Sequence, residues 1–434
     1  LGFGNSFKTF KNQSYLQSSF TLLLFFASWS IWWSFFQIWL TSEKNGLGLS
    51  GSEVGTIYSA NSLTTLILMF LYGIIQDKLA IKRTLLVFCS SLSTLVGPFF
   101  IWIYAPLIQN NFMVGIFVGS IFLSAGFLAA AGIYEAVSER FSRYFDFKYG
   151  QARAWGSFGY AVSALIAGFL FVKNPEYNFW VGSVIGLLLL LNIIFIKPKV
   201  EDKAKHEITN DDSDASIPSF KEMIALLKLP HLWVIVIFII FSWSFYTIYD
   251  QQMFPDFYTK LFETPEAGQQ MYGTLNSIQV FFEALMMSII PIVMYKLGVK
   301  NTLMLGICFM VARIGLSGLL EHPISVSMIK MMHAIEVPLF MLPMFRYITL
   351  HFNPKLSATL YMIGFQIAAQ IGQVILSTPL GNLRDHIGYG DTFLIISGIA
   401  LVAGIFAIFT FKKDNEDVNG DPFIRQKDIK EKGA

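Results

Sequence analysis

The sequence predicts an all-α membrane protein of twelve transmembrane helices, arranged as two six-helix, pseudo-symmetric bundles. Three observations predict it: too few charges for a water-soluble chain, apolar residues gathered into blocks of spanning length, and a basic turn that recurs at the same place in each half. Of 434 residues, 54% are hydrophobic and 14% charged, with a mean hydropathy of +0.56. Soluble domains carry about 25% charged residues. The apolar excess falls in blocks of about 20 residues, the length a helix needs to cross a hydrocarbon core of roughly 30 Å.

In order, the spans fall at 16–40, 55–76, 84–104, 113–136, 152–171 and 178–196, then at 231–254, 271–295, 302–320, 326–347, 358–380 and 392–411. The polar stretch 197–230, with its run Asn210-Asp-Asp-Ser-Asp214, reads as a cytoplasmic linker. The expected organisation is therefore a bundle over 1–196, the linker, a bundle over 231–412 and a cytoplasmic tail over 413–434. With both termini inside, the inner loops and tails hold 24 Lys and Arg residues and the outer loops hold 4. That bias places both termini in the cytoplasm of a multi-pass cell-membrane protein.

Gly73-Ile-Ile-Gln-Asp77-Lys78-Leu-Ala-Ile-Lys82-Arg83 joins the second and third spans, and Tyr295-Lys296-Leu-Gly-Val-Lys300-Asn301 joins the eighth and ninth. Repeated six-helix halves of this kind are a transporter architecture. A net charge of +2 gives no reason to expect nucleic acid. The two cysteines, Cys89 and Cys308, both fall within spans and read as packing residues rather than a disulfide or metal site. No cleavable signal peptide is expected.

A charge at the bilayer centre costs at least about 2.5–3.5 kcal/mol, so each one there needs a partner or a task. Glu135 ends the fourth span and Arg153 opens the fifth; Asp250 lies in the seventh, Glu283 in the eighth and Arg313 in the ninth. Lys330, His333 and Glu336 follow at three-residue steps on one face of the tenth, ahead of Pro338. His333 is suited to change protonation near neutral pH. An apolar setting favours the protonated carboxyl of Glu336, and an approaching Arg313 favours the carboxylate. The alternative is that these groups only neutralise one another, which is the preferred reading for Asp250 with Lys330. Glu135 and Arg153 offer acceptors and a planar fork of donors, which suits vicinal hydroxyls; Tyr160, two turns on, could stack on a pyranose. An interfacial salt bridge is the plainer reading of that pair.

At these residues the chain resembles the oligosaccharide:proton symporters of the major facilitator superfamily, the lactose and sucrose permease group. The likeness runs from Phe35-Phe-Gln-Ile-Trp-Leu40 to the last span. It is carried by Glu135 with Gly150-Gln-Ala-Arg153, Tyr249-Asp-Gln-Gln252, Ala312-Arg313-Ile314 and Lys330-Met-Met-His-Ala-Ile-Glu-Val-Pro338. The resemblance implies that Glu135 and Arg153 bind sugar with Tyr160 as stacking ring and Gln252 as a further contact. It implies that His333 links sugar to proton, that Glu336 carries the proton with Arg313 as its partner, and that Asp250 and Lys330 form a structural ion pair. Gly73, Asp77 and Lys78 match the superfamily's gating signature, with Ala80 where glycine is usual.

Departures from lactose permease favour a sucrose-permease-like member. Its second interhelical charge pair falls on Thr247 and Ala369, and its eighth-span sugar-binding acid falls on Val280, while an acid appears about one turn later at Glu283, a candidate sugar contact that would reach the solute from a shifted angle. The implied partners are a disaccharide, a proton and the lipid bilayer, with the chain acting as a monomer and needing no cofactor or metal. The runner-up function is a carrier of another polar solute or an exporter of amphipathic cations. A sugar sensor is disfavoured by the short tail, and an enzyme by the lack of any nucleophile motif, metal-ligand cluster or phosphate loop.

Overall fold

The computed structural model describes residues 12–79, 84–145, 147–195, 226–352, 357–416 and 418; the side chains of 73–79, 143, 144, 357 and 358 are not among those described. The described residues are helical almost throughout, with no strand among them. Long apolar helices run over Gln13–Thr41, Gly51–Leu79, Phe112–Ser142, Tyr149–Lys173, Pro175–Phe195, Pro230–Thr259, Pro265–Leu297, Val299–Leu319 and Pro323–His351. The stretch Thr359–Thr410 breaks at Gly388, whose φ of +82° only glycine adopts freely, and so forms two helices. Thr84–Thr94 and Val96–Asn110, bent by 51°, make one more. Each of the twelve predicted spans thus finds its helix, in order. The seventh continues to Thr259 beyond its predicted end at 254, because Pro255 sits in the first turn of the segment Phe254–Thr259, where a missing N–H costs nothing.

Polarity is inverted relative to a soluble protein. Ser28, Ser30, Ser93, Ser124, Ser242 and Ser244 are fully buried, while Phe409, Phe195, Met113 and Phe117 are among the most exposed side chains. Lipid tails make the outward apolar face favourable and leave close contact between small residues to hold helices together.

Two compact units emerge: 1–49 with 60–217 and 263–280, and 50–59 with 218–262 and 281–434. The second helix therefore starts in the second unit and continues in the first, and the eighth does the reverse. Within the first unit, Gly156 and Gly159 bring the fifth helix against Phe26 and the Leu23 carbonyl of the first, where no Cβ would fit. Within the second, Gly306 of the ninth helix meets the Leu339 carbonyl of the tenth, and Gly404 of the twelfth meets Ile307. These approaches fix how far the charged side chains must reach.

The basic turn of the second half is tied down by the segment after the last helix. Gly298 has a φ of +87°, and Asp414 accepts the Val299 and Lys300 amides at 2.7 and 3.1 Å. Lys300 Nζ donates to the Ile408 and Phe411 carbonyls at 2.8 and 2.5 Å. The corresponding first-half residues Gly73, Asp77 and Lys78 lie on the end of the second helix, but their side chains fall outside the described residues, as do most of the linker and of the tail.

Candidate functional site

In the first unit, Arg153 Nε donates to Glu135 Oε1 at 2.7 Å. Arg153 Nη1 donates to Ser157 Oγ at 3.2 Å, and its guanidinium lies 4.2 Å from the Phe26 ring centroid. Gly156 leaves the gap that lets Phe26 slide beneath that guanidinium. Both charged side chains remain about a third exposed, at 32% for Arg153 and 37% for Glu135. The pair is thus oriented but open, with lone pairs and N–H groups left for a hydroxylated solute. Tyr160 lies two turns further along the fifth helix, half-buried, and its carbonyl accepts Ser30 Oγ at 2.9 Å.

The second unit holds the other cluster. Arg313 is fully buried and bridges two acids: Nη1 donates to Glu336 Oε1 at 2.5 Å, and Nη2 to Asp250 Oδ1 at 2.6 Å. The Gly306–Leu339 approach lies two turns below Arg313 on one helix and one turn beyond Glu336 on the other, which is why the two side chains meet. Nη1 also donates to Tyr246 Oη at 3.0 Å, and Tyr246 Oη lies 2.6 Å from His333 Nδ1. The Tyr246, Tyr249 and Phe254 rings surround the guanidinium at 5.7, 5.2 and 5.3 Å. Two carboxylates and three ring faces offset the cost of keeping this cation out of water.

Asp250 sits in a π-helical turn, Ile248–Met253. Such turns recur at functional positions in long helices because they re-aim one side chain. The tenth helix is interrupted at Met332, immediately before His333. His333 Nδ1 lies 3.3 Å from Asp250 Oδ1, and Nε2 faces Glu283 Oε2 at 3.9 Å. Exposure falls across the cluster from 25% at Glu283 and 14% at His333 to 1% at Glu336. Glu336 Oε2 is buried with no hydrogen-bond partner among the described residues.

The sequence-predicted residues therefore meet as two groups, Glu135 with Arg153, and Asp250, Glu283, Arg313, His333 and Glu336 together. Asp250 takes its hydrogen bond from Arg313, while Lys330 is buried with its ammonium 5.8 Å from the Phe254 centroid, within electrostatic reach of Asp250. Gln252 is buried and gives Nε2–H to the Ser377 carbonyl at 2.9 Å. Sequence reasoning missed Tyr246, Ser157 and Phe26: tyrosine, serine and phenylalanine in a span carry no charge penalty to mark them. The four-residue step from Tyr246 to Asp250 is the one signal that could have raised the tyrosine.

Twelve helices, with an open acid–guanidinium pair in one unit and a buried acid–guanidinium–imidazole cluster in the other, define a carrier of polar solutes with a titratable centre. The chain belongs to the LacY proton/sugar symporter family, which it matches over residues 7–420. It is 44% identical to the sucrose permease of Escherichia coli, covering 94% of this chain and 96% of that protein. It is 34% identical to the raffinose permease of the same organism, covering 94% of each. Its fold is that of the solved nucleoside transporter NupG, with a TM-score of 0.76 at 16% identity over 92% of this chain and 99% of the other.

Proposed function

We propose that this protein imports a disaccharide of the sucrose or galactoside type together with a proton, by alternating access. The observation that carries the proton half is Glu336: one carboxylate oxygen is held by Arg313, and the other is buried without a hydrogen-bond partner among the described residues. A carboxylate so placed is expensive to keep charged unless the guanidinium stays. Withdrawal of Arg313 would favour proton uptake at the free oxygen, and its return would favour release. His333, between this buried acid and the more exposed Glu283, relates the proton to the solute, since an imidazole both donates and accepts. Glu135 and Arg153 recognise the sugar, with Tyr160 as the stacking ring.

The 44% identity to a protein named as a sucrose permease favours sucrose over lactose. Family membership and the two charged groups favour uptake over an exporter of amphipathic cations. The test is proton-linked uptake by the protein reconstituted in liposomes, with labelled sucrose, lactose, melibiose and raffinose offered in turn. A pH gradient, acid outside, should drive accumulation of at least one disaccharide, and a protonophore should abolish it. Accumulation that ignores both, or uptake of none of the four, contradicts the proposal. The bias of 24 against 4 basic residues supports a cytoplasmic placement of both termini. A C-terminal alkaline phosphatase fusion should be inactive and a green fluorescent protein fusion bright; the reverse pattern overturns the assignment.

A further inference from the structure

The first helix carries a row of aromatic rings that leads away from the Glu135–Arg153 pair. Phe26, Trp29 and Trp33 stand at i, i+3 and i+7, on one helical face. Phe26 lies under the Arg153 guanidinium at 4.2 Å. Trp29 stacks on Phe26, with centroids 6.2 Å apart and planes 26° apart, and touches Trp33 at 5.9 Å. Trp33 in turn stacks on Phe36 at 5.4 Å and 14°. Phe25, Phe26, Ile31 and Trp32 on the same helix are at most 7% exposed, whereas Trp29 and Trp33 stay partly open.

Trp29 also has an unmet need. Its indole Nε1–H is enclosed and has no acceptor among the described residues. Trp32 Nε1 has none either, but Trp32 is 1% exposed and packed against Phe100 and Phe127 at 5.0 Å each, so it belongs to the core. Enclosed donors in native proteins find partners, from the chain, from water or from a ligand. Trp29 as a whole is only partly buried, so a turn of its ring would bring that N–H to a solute. A sugar supplies both complements: an apolar C–H face for the rings and oxygens for the N–H. From Phe26 to Trp33 the row advances about 10 Å along the helix, the span of two linked hexoses.

We propose that Trp29 and Trp33 form the platform for the second hexose of the disaccharide, with Trp29 Nε1 donating to one of its oxygens, so that the first helix discriminates disaccharides from free hexoses. The proposal rests on Glu135 and Arg153 holding the first hexose. The full-length protein in lipid nanodiscs is titrated calorimetrically with sucrose, lactose and melibiose, and free glucose, fructose and galactose are run as competitors. Trp29→Phe keeps a ring and loses the donor, and should weaken disaccharide binding about 5- to 20-fold. Trp33→Ala should weaken it by at least about 10-fold. Trp32→Phe should leave it unchanged, and competition by the free hexoses should be the same in all variants. Wild-type disaccharide affinity in both Trp29→Phe and Trp33→Ala overturns the proposal, and so does an equal loss for hexoses and disaccharides, which marks a merely structural role. Glu135→Gln separates the two levels. If it abolishes binding while the tryptophan variants bind normally, the platform alone fails. If it binds normally, or if the wild type binds none of the sugars, the sugar-site reading fails and takes the platform with it.

Discussion

Arg313 makes two charged hydrogen bonds from one fully buried guanidinium, to Glu336, itself buried, and to Asp250, which is 19% exposed. Removing one acid leaves it only half neutralised, and an uncompensated buried charge costs about 3–5 kcal/mol. Lys330, buried nearby with Asp250 within its electrostatic reach, adds a second cation beside the two acids that Arg313 bridges. Asp250→Ala and Lys330→Ala should therefore each depress expression and transport strongly, and the double variant should recover part of both. A double variant worse than either single one rules out mutual neutralisation. At the other site each charged hydrogen bond from Arg153 or to Glu135 is worth about 1.5–3 kcal/mol, or roughly 10- to 150-fold in affinity. Glu135→Ala or Arg153→Ala should lose that much sugar affinity by calorimetry while the melting temperature holds, since the pair is about a third exposed. The charged residues were readable in the sequence because the membrane makes every one of them costly. Which acid faces which base was not, because that depends on contacts such as Gly306 against Leu339 that join residues far apart in the chain.

At the scale of elements, twelve helices were readable from the length of the apolar runs, and their ends were not. Asp414 shows why. It follows the last span, where a polar residue attracts no notice, yet it receives the first two amides of the ninth helix. Helix N-termini leave such donors open and favour a negative charge beside them. Asp414→Ala should destabilise the protein by about 0.5–2 kcal/mol, the usual range for a lost cap, and Asp414→Asn by less, read as the thermal shift of the detergent-purified protein. An unchanged melting temperature in both would show that the tail segment contributes nothing to the ninth helix. The π-helical turn around Asp250 was equally unreadable, because one extra residue in a helical turn leaves no periodic trace in an apolar stretch.

For the molecule as a whole, symport requires a sugar site and a proton site that answer to each other. The Glu135–Arg153 pair belongs to the first unit and the Arg313–Glu336 cluster to the second, and the second and eighth helices each contribute residues to both units. Coupling then depends on one group being protonated when sugar binds and deprotonated when sugar is released. Glu336 has the burial, the guanidinium partner and a second oxygen with no hydrogen-bond partner among the described residues for that task. Substituting glutamine holds the position permanently uncharged while keeping its size. The decisive comparison is Glu336→Gln against wild type in proteoliposomes, measuring passive exchange of labelled disaccharide beside accumulation driven by a pH gradient. The proton assignment predicts that exchange persists and accumulation vanishes. A Glu336→Gln protein that still concentrates sugar against its gradient would contradict the assignment and move the proton site elsewhere, with Glu283 the next candidate.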